Sequence, residues 1–147
     1  DQQLTAAILL HDIGMAFLPA GLMRKQGEMS EKERSILHSH INRATDMLID
    51  LPHWEEARTY ILAHHERYDG TGYPNGLAGN DIPDGAKILA IVDAFEAMTH
   101  DRFHRNHRKR PIALAAREVA LNSGGQLCPY WVNNFTQVFN SLLRKQN

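Results

Sequence analysis

One cysteine, Cys128, stands among 147 residues, so no intrachain disulfide can form, and the chain suits a reducing compartment. The same scarcity leaves no thiolate set for an iron–sulfur cluster or a structural zinc site. No apolar run approaches the length of a membrane span, and no secretory signal pattern opens the chain. No segment alternates apolar and polar residues with the period of a strand. Charge of one sign is also lacking: 16 Lys and Arg against 17 Asp and Glu leave a formal net charge of −1. A chain so balanced is no polycation, so DNA is not expected as a partner and any anion site must be local. What remains is one domain of ordinary composition, 43% hydrophobic and 22% charged, long enough to bury a core.

Histidine, by contrast, is abundant, with nine residues. The first falls at the end of LTAAILLHDIG, where an apolar helix over residues 1–12 arrives at the adjacent pair His11 and Asp12 and is followed by Gly14. Leu4, Ala7, Ile8 and His11 share one face of that helix, which aims the imidazole inward. Residues 13–29 carry Gly14, Pro19, Gly21 and Gly27 and read as irregular. Ser30 followed by Glu33 is a capping box and opens the next helix. Its apolar stripe is Ile36, Leu37, Ile41, Ala44, Met47 and Leu48, and His40 belongs to it; His38 lies on another face and reads as solvated. After Pro52 a helix is expected from about Trp54 to Tyr68, with Ala57, Ile61, His64 and His65 on its buried side.

The segment YDGTGYPNGLAGNDIPDG, residues 68–85, has five glycines and two prolines and cannot be helix or central strand. A loop of this length in a compact domain is usually functional. The helix AKILAIVDAFEAMTH follows, with Ile88, Leu89, Val92, Phe95 and Met98 apolar and Asp93 among them, a carboxylate that is expensive to bury unless paired or bound to a metal. Residues 101–110, DRFHRNHRKR, hold five Arg or Lys and suit a phosphate clamp as well as a solvated loop. A helix from Pro111 ends at Ser123-Gly124-Gly125, and Pro129 opens the last, with Val132, Phe135, Val138, Phe139 and Leu142 as its stripe. The pattern is all-α, about six helices, with no internal repeat.

His11, Asp12, His40, His64, His65 and Asp93 thus form a set of nitrogen and oxygen donors, each on a helix with an apolar side. Taken singly, any of them could be a core or surface residue. Taken jointly they fit divalent transition metals, and four imidazoles with two carboxylates exceed what one ion needs. His53, His100, His104 and His107 have no such placement, though His104 and His107 could add to the basic loop.

These residues resemble the HD-GYP domain, a branch of the HD phosphohydrolase superfamily. The resemblance rests on His11-Asp12-Ile13-Gly14, on His64-His65-Glu66 and above all on Asp69-Gly70-Thr71-Gly72-Tyr73-Pro74; Asp93, Asp101-Arg102 and the Gly-Gly-Gln turn at Gly125 fit the same pattern. It covers the whole of residues 1–147 as a single domain. It implies an HD-domain helical bundle and a bacterial signalling enzyme of the cytoplasm that hydrolyses cyclic di-GMP to pGpG or GMP. It implies two divalent ions, three in some members, usually iron or manganese. Carried over by position, Asp12 would bridge the ions and serve catalysis. His11 and Asp93 would hold one ion, and His40, His64 and His65 the other. Tyr73 would line the substrate site and take part in catalysis, and Arg102 and Arg105 would grip phosphate or guanine. An upstream sensor or receiver domain is implied as a partner.

Three departures stand out. The family places another His ligand on a helix upstream, and this chain, which begins at Asp1, is expected to lack its N-terminal helix or helices. Met15 stands where the family has Lys. Cys128 stands where an Asp usually precedes the last helix, which weakens a cap without touching the chemistry. Loss of a lysine beside the reacting phosphate implies a slower enzyme, or a receptor that binds cyclic di-GMP without turning it over. A bare HD motif would also allow hydrolysis of another nucleotide.

Overall fold

The computed structural model describes residues 1–100 and 110–145. Among the described residues the chain is all helical, with no strand: α1 Gln2–Leu10, α2 Ala20–Met23, α3 Glu31–Met47, α4 Glu55–Ala63, α5 Asp84–Thr99, α6 Ile112–Leu121 and α7 Pro129–Arg144. Six are full helices; α2 is a single turn. The stretch expected to be irregular after Asp12 contains a 3₁₀ segment, Ile13–Phe17, as well as α2.

Local signals set most helix starts. The Asp1 carboxylate accepts from the amides of Gln3 and Leu4 at 2.9 and 3.4 Å and caps α1. The capping box of α3 forms in both directions: Ser30 Oγ accepts from the Glu33 amide at 3.3 Å, and Glu33 Oε2 accepts from the Ser30 amide at 2.8 Å. Trp54 precedes α4 and supplies no side-chain cap. Gln3 of α1 substitutes: its Oε1 accepts from the Ala57 amide at 3.0 Å, while its Nε2 donates to the His53 carbonyl.

Helix α5 is the centre of the packing. Its Leu89 joins Ala7, Ala44, Leu48, Ala57 and Ile61 in one buried cluster shared by α1, α3 and α4. Its Ile91 joins Val119, Leu127 and Val132 in a second cluster with α6 and α7, onto which Phe95 and Phe135 pack. Its Ala86 joins Ala63 and Ile82 in a third, beneath Leu77 of the glycine-rich loop. Asp93 is one turn beyond Leu89, so the helix that unites these clusters also carries a carboxylate between them. The apolar stripe expected on α7 is only partly buried: Val132 is covered, but Val138 and Leu142 are 61% and 55% exposed. The cluster contacts of α7 run through Val132 and Phe135, nearer its start.

Helix α4 ends at Ala63, well short of the expected Tyr68. The backbone groups that would continue it are used elsewhere. Glu66 N closes a tight turn on Ala63 O at 3.0 Å, and Tyr68 N and Asp69 N donate to Gln126 O and Gly125 O at 3.1 and 2.9 Å. The loop is therefore tied to the turn between α6 and α7.

Gly14 decides how closely the first turn after α1 approaches α3. A Cβ at Gly14 would lie 1.9 Å from the His40 carbonyl oxygen and 2.9 Å from the Ala44 amide nitrogen, both backbone atoms that cannot step aside alone. Gly14→Ala is expected to push α3 away, costing roughly 1–3 kcal/mol as overpacking does, and to separate Asp12 from His40. Thermal melting and metal content check both effects; a variant that melts like the parent would contradict the close approach.

Candidate metal centre

The donor set converges from four helices. His11 is the C-cap of α1 and Asp12 follows it; His40 comes from α3; His64 is the C-cap of α4 with His65 next; Asp93 comes from α5. Asp12 faces two ways: Oδ2 lies 3.7 Å from His11 Nε2 and Oδ1 lies 3.7 Å from His40 Nε2. Asp93 Oδ1 lies 3.7 Å from His11 Nε2. These separations are too long for hydrogen bonds. Two donors that share one ion at about 2.0–2.2 Å each sit roughly 3–4 Å apart.

The imidazoles are oriented by their own helices. Nδ1 of His11, His40 and His64 meets the carbonyl oxygen of Ile8, Leu37 and Ile61 at 2.9, 2.6 and 2.6 Å. Only N–H can meet a carbonyl at that distance, so Nδ1 carries the proton and Nε2 keeps its lone pair for the centre. Among the described residues, Nε2 of His40 and of His64 are buried with no hydrogen-bond partner. Buried polar atoms are almost always satisfied, so a lone pair without a partner requires a reason. Donor atoms of His40, His64 and His65 lie within 4.8 Å of one another, as do those of His11, Asp12 and His64. Neutral nitrogen donors with carboxylate oxygen are the chemistry of zinc, iron or manganese sites. The residues present fit a metal.

The electrostatics agree at His64 and His65. Burial holds the His64 imidazole down at about 4, against an ordinary 6.5. Burial and then the neighbouring His64 pull His65 down as well. Burial also lowers His11, but the Asp93 carboxylate beside it, together with Asp12, more than offsets this, and the net shift is upward.

Beyond the donors a cleft of about 350 Å³ is lined by His38, His64, His65, Tyr73, Asp93 and Gln126, among others. The glycine-rich loop folds back over the donors. Tyr73 N donates to His65 O at 3.2 Å. The buried Glu66 carboxylate accepts from the Asn75 and Leu77 amides at 2.7 and 3.0 Å. A Cβ at Gly72 would sit 2.3 Å from Arg67 N, so only glycine allows this return. The Arg67 guanidinium, 3.0 Å from the Asp69 carboxylate, and the Thr71 hydroxyl hold Asp69 well below the usual carboxylate range.

The structure thus brings His11, Asp12, His40, His64, His65 and Asp93 together and sets Tyr73 against His65. Arg102 and Arg105 lie outside the described residues, with His104 and His107. His100 pairs with Glu96 on the exposed end of α5, and His53 is exposed. One site residue departs from expectation: His38, read as solvated, stacks on Tyr73 with ring centroids 3.6 Å apart and planes at 11°. Nothing local in the sequence marks it, because its partner is far along the chain.

Asp12→Ala is expected to empty the centre of metal, since one carboxylate faces both halves, whereas His40→Ala should remove mainly one half. Elemental analysis checks this; full occupancy in Asp12→Ala would overturn the shared role. A second expectation concerns pH in the metal-free protein. Folded His64 and His65 take up protons less readily than the unfolded chain, so their contribution is complete above about pH 6.5 and is lost as pH falls, for His64 through about 4. His11 acts oppositely: its contribution is present below about pH 6.5 and is lost as pH rises through its higher folded value. The denaturation midpoint should therefore fall between pH 6.5 and 4, less steeply in His64→Gln; an equal slope in both would contradict the burial of that imidazole.

Comparison with known proteins agrees with this architecture. The model of the HD domain family matches residues 1–118. The chain is 33% identical over 136 residues to the cyclic di-GMP phosphodiesterase of Thermotoga maritima, covering 88% of this chain and 35% of that protein. It is 33% identical over 99 residues to the 3'3'-cGAMP-specific phosphodiesterase 2 of Vibrio cholerae, covering 66% of this chain and 19% of that one. The chain therefore spans about a third or less of the length of these relatives. Among solved structures it shares the fold of an HDG"Y"P protein from Bdellovibrio bacteriovorus, with a TM-score of 0.69 at 23% identity over 95% of this chain and 44% of that chain. A donor cluster built on helix ends, a helical frame and a family match over most of its length lead to one conclusion: this chain belongs to the HD domain family.

Proposed function

We propose that this chain is the catalytic domain of a metal-dependent phosphodiesterase that hydrolyses cyclic di-GMP to pGpG or GMP. The observation that carries the reading is the pair of buried Nε2 atoms on His40 and His64, without hydrogen-bond partners among the described residues, with the Asp12 carboxylate 3.7 Å from the first and grouped with a donor atom of His64 within 4.8 Å. Asp12 is read as the shared ligand, His11 and Asp93 as holding one ion, and His40, His64 and His65 as holding the other. Two such ions, iron or manganese, would supply a strong nucleophile from water and neutralise charge at phosphorus, which is why no Ser or Cys nucleophile is required. The protein's part is to keep Nε2 bare and aimed, to hold Asp12 between two imidazoles, and to roof the cleft with the Tyr73 loop. Arg102 and Arg105 are read as phosphate or guanine contacts. Residues 1–147 are read as one HD-GYP domain working in the cytoplasm under an upstream sensor or receiver domain; one relative is named as a response regulator. Among the described residues no helix is long and apolar enough to cross a membrane.

Three relatives' names also support a second substrate, 3'3'-cGAMP. Met15, in place of lysine, supports a slow enzyme or a receptor. The test is turnover of cyclic di-GMP and of 3'3'-cGAMP by the metal-replete protein, with products resolved chromatographically. Cyclic di-GMP is expected to turn over faster; binding without turnover would make the domain a receptor, and turnover of other nucleotides alone would displace both readings. Met15→Lys is expected to raise the single-turnover rate, by as much as roughly 10²–10³ for a positioned cation, at matched metal content. An unchanged rate would shift weight to binding. Tyr73→Phe keeps the ring and removes only the hydroxyl, so it should lower kcat several-fold without loss of metal; unchanged kinetics would reduce Tyr73 to packing.

A further inference from the structure

Tyr73 has both ring faces occupied. His38 lies against it at 3.6 Å and 11°, and His65 at 4.9 Å and 26°. An aromatic ring has two faces, and one face accepts one near-parallel neighbour, so the two imidazoles take opposite sides. His65 in turn lies 3.9 Å from His64. The four rings form a column that starts at the donor cluster and ends at His38. This has a consequence for recognition: a flat ligand cannot stack on Tyr73, because no face is left. His38 is half-buried and lines the cleft, and among the described residues Tyr73 is the one ring that lies against it.

We propose that His38 is a nucleobase-stacking residue, the outer end of this column, and that it binds the base of a purine nucleotide whose phosphate lies at the metal ligands. The proposal rests on the phosphodiesterase reading only for the choice of a purine nucleotide as ligand. The geometry suits it. In a nucleotide, base and phosphate are held apart by the sugar, and here the stacking surface and the unpartnered Nε2 atoms are held apart by two intervening rings. Tyr73 then acts as a spacer that fixes the plane of His38. Truncating to alanine a side chain on which a base stacks is expected to weaken binding by about thirtyfold, the middle of the range for such contacts.

The test uses the metal-replete chain and two ligands, GMP and ribose 5-phosphate, which share the phosphate and sugar but not the base. Calorimetric titration of the parent should give tighter binding of GMP than of ribose 5-phosphate. His38→Ala should weaken GMP about thirtyfold, leave ribose 5-phosphate unchanged and leave metal content unchanged. His38→Phe, which restores a flat ring without a titratable nitrogen, should recover GMP binding. With cyclic di-GMP as substrate, the alanine variant should raise KM more than it lowers kcat. Four results would overturn the proposal: GMP no tighter than ribose 5-phosphate on the parent, an equal loss for both ligands, loss of metal in His38→Ala, or no recovery in His38→Phe. If the parent discriminates GMP as stated yet hydrolyses no cyclic dinucleotide, the stacking role stands and the phosphodiesterase reading falls.

Discussion

The centre depends on three hydrogen bonds of one kind: a histidine Nδ1–H donated to the carbonyl three residues earlier. At His11 and His64 the accepting carbonyls, Ile8 and Ile61, belong to the last turns of α1 and α4, where helices leave carbonyls without an intrahelical amide. A histidine at such an end satisfies the orphan and fixes its own tautomer with the same bond. The rest follows from that bond. Nε2 is left bare at His40 and His64, burial keeps His64 neutral, and Asp12 sits between His11 and His40.

A second constraint is the return of the glycine-rich loop. Glu66 is the hinge of this arrangement, because its buried carboxylate takes two amides from the far side of the loop, at Asn75 and Leu77. The loop's near side is tied to the turn between α6 and α7 through Gln126 and Gly125. Tyr73 is therefore held at His65 by backbone from both ends, and the roof of the cleft is joined to the second apolar cluster around Ile91 and Val119.

Much of this was legible in the sequence, and the reasons are local. The six donors could be recognised because each falls on a helix with an apolar side, and helical period is a local property. The capping box at Ser30 and Glu33 is likewise complete within four residues. What could not be read depends on contacts between distant segments. The end of α4 was set too late because the amides of Tyr68 and Asp69 are taken by Gln126 and Gly125, far along the chain. His38 sits off the apolar stripe of α3, and only the returning loop gives it a partner. The outer half of α7 carries the period of a buried stripe, yet Val138 and Leu142 are exposed, because period reports which residues share a face and not whether anything covers it.

The cap that Gln3 lends to α4 ties together the two helices whose ends carry His11 and His64. A helix of nine residues is too short to persist in water by itself, and α4 has no cap of its own. Its first turn is completed by a side chain 54 positions earlier, from the helix that ends at His11. The placement of His64 and His65 therefore draws on α1 as well as on the packing of α4 against Ala44, Leu48 and Leu89. The donors at the end of α4 are thus held in part by the helix that presents His11 and Asp12.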